Sequence, residues 1–183
     1  MFIKSLNELK NVKSIAICGI MAALALILNY VASISIGQYL RIGFSFLPNM
    51  MVDFLFGPTV GGLFGAALDV IKWFLKPTGP YFPGFTLSAA LGAVIYGMFF
   101  YKKKVSLPRC IIAHTIVKAF VNCGLNTLWL NLLYGQAIAV ILPTRILSNA
   151  INLPVDVALT YFAMKLLQKT VMPMLRADHR EVA

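Results

Sequence analysis

The sequence predicts an all-α integral membrane protein, six transmembrane helices with extracellular capping loops, and three observations carry that prediction. Hydrophobic residues make up 60% of the 183-residue chain and charged residues only 12%, with a mean hydropathy of +0.82, a composition suited to hydrocarbon rather than water. Apolar runs recur at about residues 14–36, 44–56, 58–75, 84–101, 109–133 and 137–167, most of them near the ~20 residues that a helical crossing needs. Between them lysine and arginine collect in three blocks, which six crossings place on one side. The whole of 1–183 reads as a single six-helix domain.

The first helix is preceded by Lys4, Lys10 and Lys13. It resembles a secretory signal, but it is too long and five more spans follow, so it is expected to be retained. The second run is short, and Gly57-Pro58 joins it to the third through little more than a kink, predicting a tight helical hairpin. Lys102, Lys103, Lys104 and Arg109 separate the fourth and fifth helices, and Lys165, Lys169, Arg176 and Arg180 follow the sixth helix or close its end. An odd number of crossings would split these blocks, so the positive-inside rule supports an even count with both termini cytoplasmic. The formal charge of +10 is thus a topology signal and not a nucleic-acid surface, because the basic residues stand between apolar runs instead of interleaving with aromatics on one polar face. Cys18, Cys110 and Cys123 have neither metal-ligand spacing nor an even disulfide set, and are expected to pack.

This topology puts two loops outside. "SIGQYLRIGFSFLP" (35–48) joins the first two helices, and "KPTGPYFPGF" (76–85) joins the third to the fourth, so both can cap one cavity. Charges in hydrocarbon are expensive, ~2.5–3.5 kcal/mol at the centre on insertion scales, and so they mark function. Asp69, Lys72 and Lys76 share one face of the third helix and climb roughly 10 Å toward the outside. Pairing of Asp69 with Lys72, and snorkelling of Lys76 to headgroups, is the structural alternative. On the sixth helix Arg145, Asn149, Asn152 and Asp156 share a face, with Pro143 just before them pointing to a local distortion. Arg145 either pairs with an acid or faces a cavity, where its planar fork suits an anion. His114, Lys118, Asn122 and Asn126 recur by fours on the fifth helix, followed by Trp129. An α-helix rotates such a stripe, so only Asn126 and Trp129 are assigned to the outer cavity, and His114 and Lys118 to hydrogen bonds between helices.

The predicted pocket gathers Arg41, Lys72, Lys76 and Arg145 with Trp73, Tyr81, Phe82, Phe85 and Trp129, and with Asn126 and Asn149 as hydrogen-bonding groups. Trp73 and Phe82 fit an interfacial aromatic belt. A cationic, aromatic lining suits an anion bearing a flat ring system.

The stretches "RIGFSFLPNMMVDFLFGPTVG" and "KPTGPYFPGFTLSAALGA" resemble the first-loop and third-loop signatures of the substrate-binding S components of energy-coupling-factor vitamin transporters, most closely their folate-specific members. The resemblance covers about residues 12–168. It implies a six-helix subunit that captures folate or a related pterin from outside beneath its two loops, and that associates with a transmembrane coupling protein and two cytoplasmic ATPases. It places Arg41, Phe44, Tyr81 and Phe85 in the capping loops. Members usually carry Ala-x-x-x-Ala on the first helix for contact with the coupling protein. Here Gly19-x-x-x-Ala23, with Cys18-x-x-x-Ala22 beside it, leaves a similarly flat strip.

Gly57, Gly61 and Gly65 on the third helix and Ala89, Ala93 and Gly97 on the fourth are expected to pack those neighbours together. The chain shows no phosphate loop, no zinc-protease signature and no nucleophile elbow. It is therefore not expected to be an enzyme, to hold a cofactor or metal, or to hydrolyse ATP itself. A stand-alone secondary transporter of an organic anion would show an internal repeat with broken helices at the midplane, and no such repeat is evident. Pantothenate, the other anionic vitamin considered, would leave the aromatic rings unexplained.

Overall fold

The computed structural model describes residues 2–9, 11–31, 33–36, 40–77, 79–135 and 137–181, with side chains described for these except 33–42 and 171–181. Helices α1 (Phe2–Glu8) and α2 (Val12–Val31) lead into a two-stranded antiparallel hairpin, β1 (Ser33–Ile36) and β2 (Leu40–Gly43), that sets Ile34 opposite Ile42. Then follow α3 (Phe46–Phe56), α4 (Pro58–Leu75) and α5 (Pro83–Phe100). A composite rod comes next: α6 (Leu107–Ile116), a π-helical segment (Val117–Leu125) and α7 (Asn126–Tyr134). The chain closes with α8 (Ile138–Glu181).

Among the described residues five helices are long and apolar enough to cross a bilayer: Val12–Val31, Pro58–Leu75, Pro83–Phe100, the rod Leu107–Tyr134, and Ile138–Thr170 of α8. α3 has 11 residues, or about 16 Å of helix, well under the ~30 Å of hydrocarbon. Short as it is, it still returns the chain between α2 and α4, the sixth pass, and seven of its residues are buried: Pro48, Met50, Val52, Asp53, Phe54, Leu55 and Phe56. Large side chains such as Ile20, Phe74, Phe120 and Phe162 point outward from the longer helices, as lipid contact requires.

Three features depart from the sequence reading. The first membrane helix ends at Val31, and the alternating "SISI" and "LRIG" segments form strands where helix end and loop were expected. A short helix, α1, precedes it. α8 runs without a break through Pro143 and Pro154.

The expected hairpin turns at Gly57, whose φ of +90° favours glycine, with Pro58 at the first position of α4. Its cap comes from far away in sequence. Ser5 of α1, fully buried, accepts hydrogen bonds through Oγ from the backbone N–H of Thr59 (3.2 Å) and Val60 (3.1 Å) and donates to the Phe56 carbonyl (2.6 Å). One hydroxyl thereby satisfies both sides of the α3–α4 junction. Ser5→Ala should cost about 2 kcal/mol, read as a lower melting temperature in detergent, whereas Ser5→Thr, which keeps the hydroxyl, should recover most of it.

The small-residue runs on α4 and α5 do meet. A Cβ placed on Gly65 would lie 3.1 Å from the Ala89 carbonyl oxygen and 3.3 Å from the Ala93 Cβ, and one on Gly62 would lie 2.8 Å from Val94. Side chains any larger would hold the two backbones apart, and with them the walls of the cavity beyond.

Candidate functional site

A cavity of about 380 Å³ lies between α3, α4, α5, the composite rod and α8. α3 contributes Phe46, Asn49, Met50 and Asp53; α5 contributes Phe85, Ser88 and Tyr96; the rod contributes His114, Lys118, Asn122 and Asn126; and α8 contributes Asn152 and Asp156. All four members of the rod's spacing-by-fours stripe line it, which corrects the expectation that the stripe would rotate away. The π segment explains why: its wider i→i+5 turn takes up the drift that an α-helix imposes on residues four apart.

His114 and Lys118 also make the expected links between helices. The Lys118 ammonium lies 2.7 Å from Asp156 on α8. The His114 ring meets the Tyr96 hydroxyl (3.2 Å) through Nδ1 and the Thr160 hydroxyl (3.0 Å) through Nε2. This polar network ties α5, the rod and α8 together across the lower wall.

A second chamber of about 400 Å³ adjoins the first and shares Asp69 and Phe85 with it. Lys72, Trp73, Lys76, Tyr81, Phe82 and Tyr134 line it. The shared border is held by a hydrogen-bond chain: the Thr86 hydroxyl donates to Asp69 (2.8 Å) and pairs with the Tyr81 hydroxyl (3.0 Å). Asp69 is thus engaged by Thr86, while the Lys72 ammonium donates to the Ser45 hydroxyl at 3.4 Å. Trp73 donates its indole N–H to the Gly79 carbonyl (2.9 Å) and meets the Tyr81 ring at 5.3 Å, which folds the second loop over this chamber.

Of the residues expected from sequence, Phe85 lines both chambers, Asn126 the inner one, and Lys72, Lys76 and Tyr81 the outer one. Phe44, Trp129, Arg145 and Asn149 are absent from both linings. Three of these stand directly behind the walls. Trp129 donates to Ser88 (3.0 Å). Arg145 donates to the main-chain carbonyl of Asn122 (3.0 Å) in the π segment. Asn149 accepts from the Asn122 side chain (3.4 Å) and donates to Cys123 Sγ (3.4 Å). Phe44 is half-buried in the turn before α3. The side chain of Arg41 lies outside the described residues.

Sequence reasoning placed α3 but missed its site residues. Asn49 and Asp53 stand one turn apart on its cavity face, and Asp53 is only 1% exposed. A carboxylate inside an apolar run was the available signal. On α2, Gly19 and Ala23 are exposed, with nothing within 4 Å of a Cβ built on Gly19, while Cys18 and Ala22 turn partly inward.

A bundle of membrane-length helices closed around a polar chamber, with a cationic aromatic chamber at its border, defines a membrane-embedded solute-binding protein. The comparisons give that class its family. The family described as "ECF transporter, substrate-specific component" matches residues 13–164, and the chain belongs to it. Two relatives are each named folate transporter FolT. One, from Clostridium novyi (strain NT), is 46% identical over 130 residues, 71% of this chain and 76% of that one. The other, from Leuconostoc mesenteroides subsp. mesenteroides, is 33% identical over 132 residues, 68% of this chain and 71% of that one. A crystal structure of FolT bound with folic acid superposes with a TM-score of 0.75 at 36% identity, covering 83% of this chain and 92% of that one.

Proposed function

We propose that this chain is the membrane-embedded folate-binding subunit of an ATP-driven vitamin uptake transporter of the energy-coupling-factor type. The observation that carries this reading is its likeness, over 92% of that chain, to the FolT structure bound with folic acid. The geometry accords with it. Two adjoining chambers, each inside the usual ~300–1,000 Å³ range of ligand pockets, suit a ligand with a flat ring at one end and carboxylates at the other. Lys72 and Lys76 are the candidates for the glutamate carboxylates, with Arg41 of β2 as a third. Tyr81 and Phe85 offer ring contact, and Asn126 offers a hydrogen bond to ring nitrogen.

Arg145, Asn149 and Trp129 act from behind: they hold Asn122 and Ser88 in place. Hydrolysis of ATP falls to partners, a transmembrane coupling protein and two cytoplasmic ATPases. The exposed Gly19 and Ala23 strip on α2 is the surface where another helix could approach closely. Both termini lie in the cytoplasm, as the three basic blocks require.

Calorimetric titration of the purified chain in detergent tests the assignment. Folate should bind and pantothenate, riboflavin and thiamine should not. Lys72→Ala should weaken folate binding by about 10- to 100-fold, the range expected for a lost charge-assisted hydrogen bond, and should leave a pterin without its glutamate tail nearly unaffected. Equal losses for both ligands would remove Lys72 from the carboxylate site.

A further inference from the structure

The two chambers make opposite demands on a ligand. The outer one presents ammonium groups. The inner one presents acceptors: Asn49 Oδ1, both carboxylate oxygens of Asp53 and Asn126 Oδ1 are buried there without a hydrogen-bond partner among the described residues. Its two basic side chains are already engaged, Lys118 by Asp156 at 2.7 Å and His114 by Tyr96 and Thr160. An asparagine amide can turn over to present N–H instead. A carboxyl group has no N–H to present, and as the anion Asp53 accepts through both oxygens, so a ligand edge with two donors is the partner that holds it charged.

The pocket around Asp53 is built for it. Gly61 of α4 stands directly behind the carboxylate, where any Cβ would overlap Asp53 Oδ1. We propose that Asp53 anchors the ring end of the ligand by accepting two parallel hydrogen bonds from an amidine-like edge, the N3–H and 2-amino group of a 2-amino-4-oxopteridine. The inference rests on the folate reading and adds to it a specificity-determining residue and a ligand orientation, ring inward on Asp53 and carboxylates outward on the lysines. Two coplanar N–H groups match the two oxygens of a carboxylate, as in guanidinium–carboxylate pairs. A burial that disfavours the lone anion then becomes selectivity, because a ligand without the donors leaves the acceptors unpaired.

The test titrates the wild-type chain with folate and with a folate analogue whose 2-amino group is replaced by methyl. The analogue should bind on the order of 100-fold more weakly. Asp53→Asn, which puts a donor where the ring needs an acceptor, should weaken folate by a similar factor. The analogue's additional loss in that variant should shrink to within about threefold, since the two changes remove one interaction. An analogue that binds the wild type as tightly as folate would overturn the proposal, even if the variant failed to fold. So would losses that multiply in full. A wild type that binds no folate at all would remove the reading beneath the proposal and the proposal with it. That result is distinguishable from folate binding that ignores the 2-amino group.

Discussion

Lys118→Ala is expected to lower the unfolding free energy by about 3–5 kcal/mol, seen as a large drop in melting temperature in detergent. The ammonium is 2.7 Å from Asp156, with the two side chains 10% and 18% exposed. Removing the cation strands a carboxylate on the cavity wall, flanked by Asn152 on its own helix and by Asn122 on the rod. Neither can supply the lost charge. Forming such a pair costs desolvation of both ions, so the loss comes from the uncompensated partner and not from an intrinsically strong attraction. The double variant Lys118→Met/Asp156→Leu should therefore recover most of the stability. If the double variant were as unstable as the single one, Lys118 would be contributing packing and not charge compensation. A single variant costing under about 1 kcal/mol would show that water reaches Asp156.

The sequence made membrane helices legible because hydropathy is a property of composition and needs no tertiary information. Helical spacing likewise brought out Asp69, Lys72 and Lys76 as wall residues. It failed where backbone geometry departed from the regular helix. The His114, Lys118, Asn122 and Asn126 stripe faces one cavity only because Val117–Leu125 is π-helical, and no local residue pattern announces that. Arg145 read as either paired with an acid or facing a cavity, but its partner is the main-chain carbonyl of Asn122, and carbonyls are invisible in a list of side chains. α3 looked like an undersized crossing, and its brevity drew more notice than its contents. Yet its burial is what makes Asp53 informative, because the same carboxylate on an exposed face would need no explanation.

Gly97→Val is expected to cost about 3 kcal/mol or more, at the upper end of the overpacking range, and to weaken ligand binding with it. A Cβ at this position would lie 2.5 Å from Pro58 Cα, 2.6 Å from Pro58 N and 3.0 Å from Gly57 C. These are all main-chain atoms, so no rotamer change relieves the overlap, and α5 must move away from the head of α4. The junction cannot yield easily, since Gly57 holds φ at +90° and Ser5 bonds to both sides of it. Tyr96, next to Gly97 on α5, carries the displacement to the cavity through its 3.2 Å contact with His114. Gly92 on the same helix is the control: a Cβ there meets only Val117 Cγ1, at 3.6 Å. Alanine has the higher helix propensity by about 1 kcal/mol, so Gly92→Ala should be neutral or stabilising, while Gly97→Ala should already destabilise. Equal melting temperatures for those two alanine variants would mean that α4 and α5 do not approach at Gly97 as closely as the packing requires.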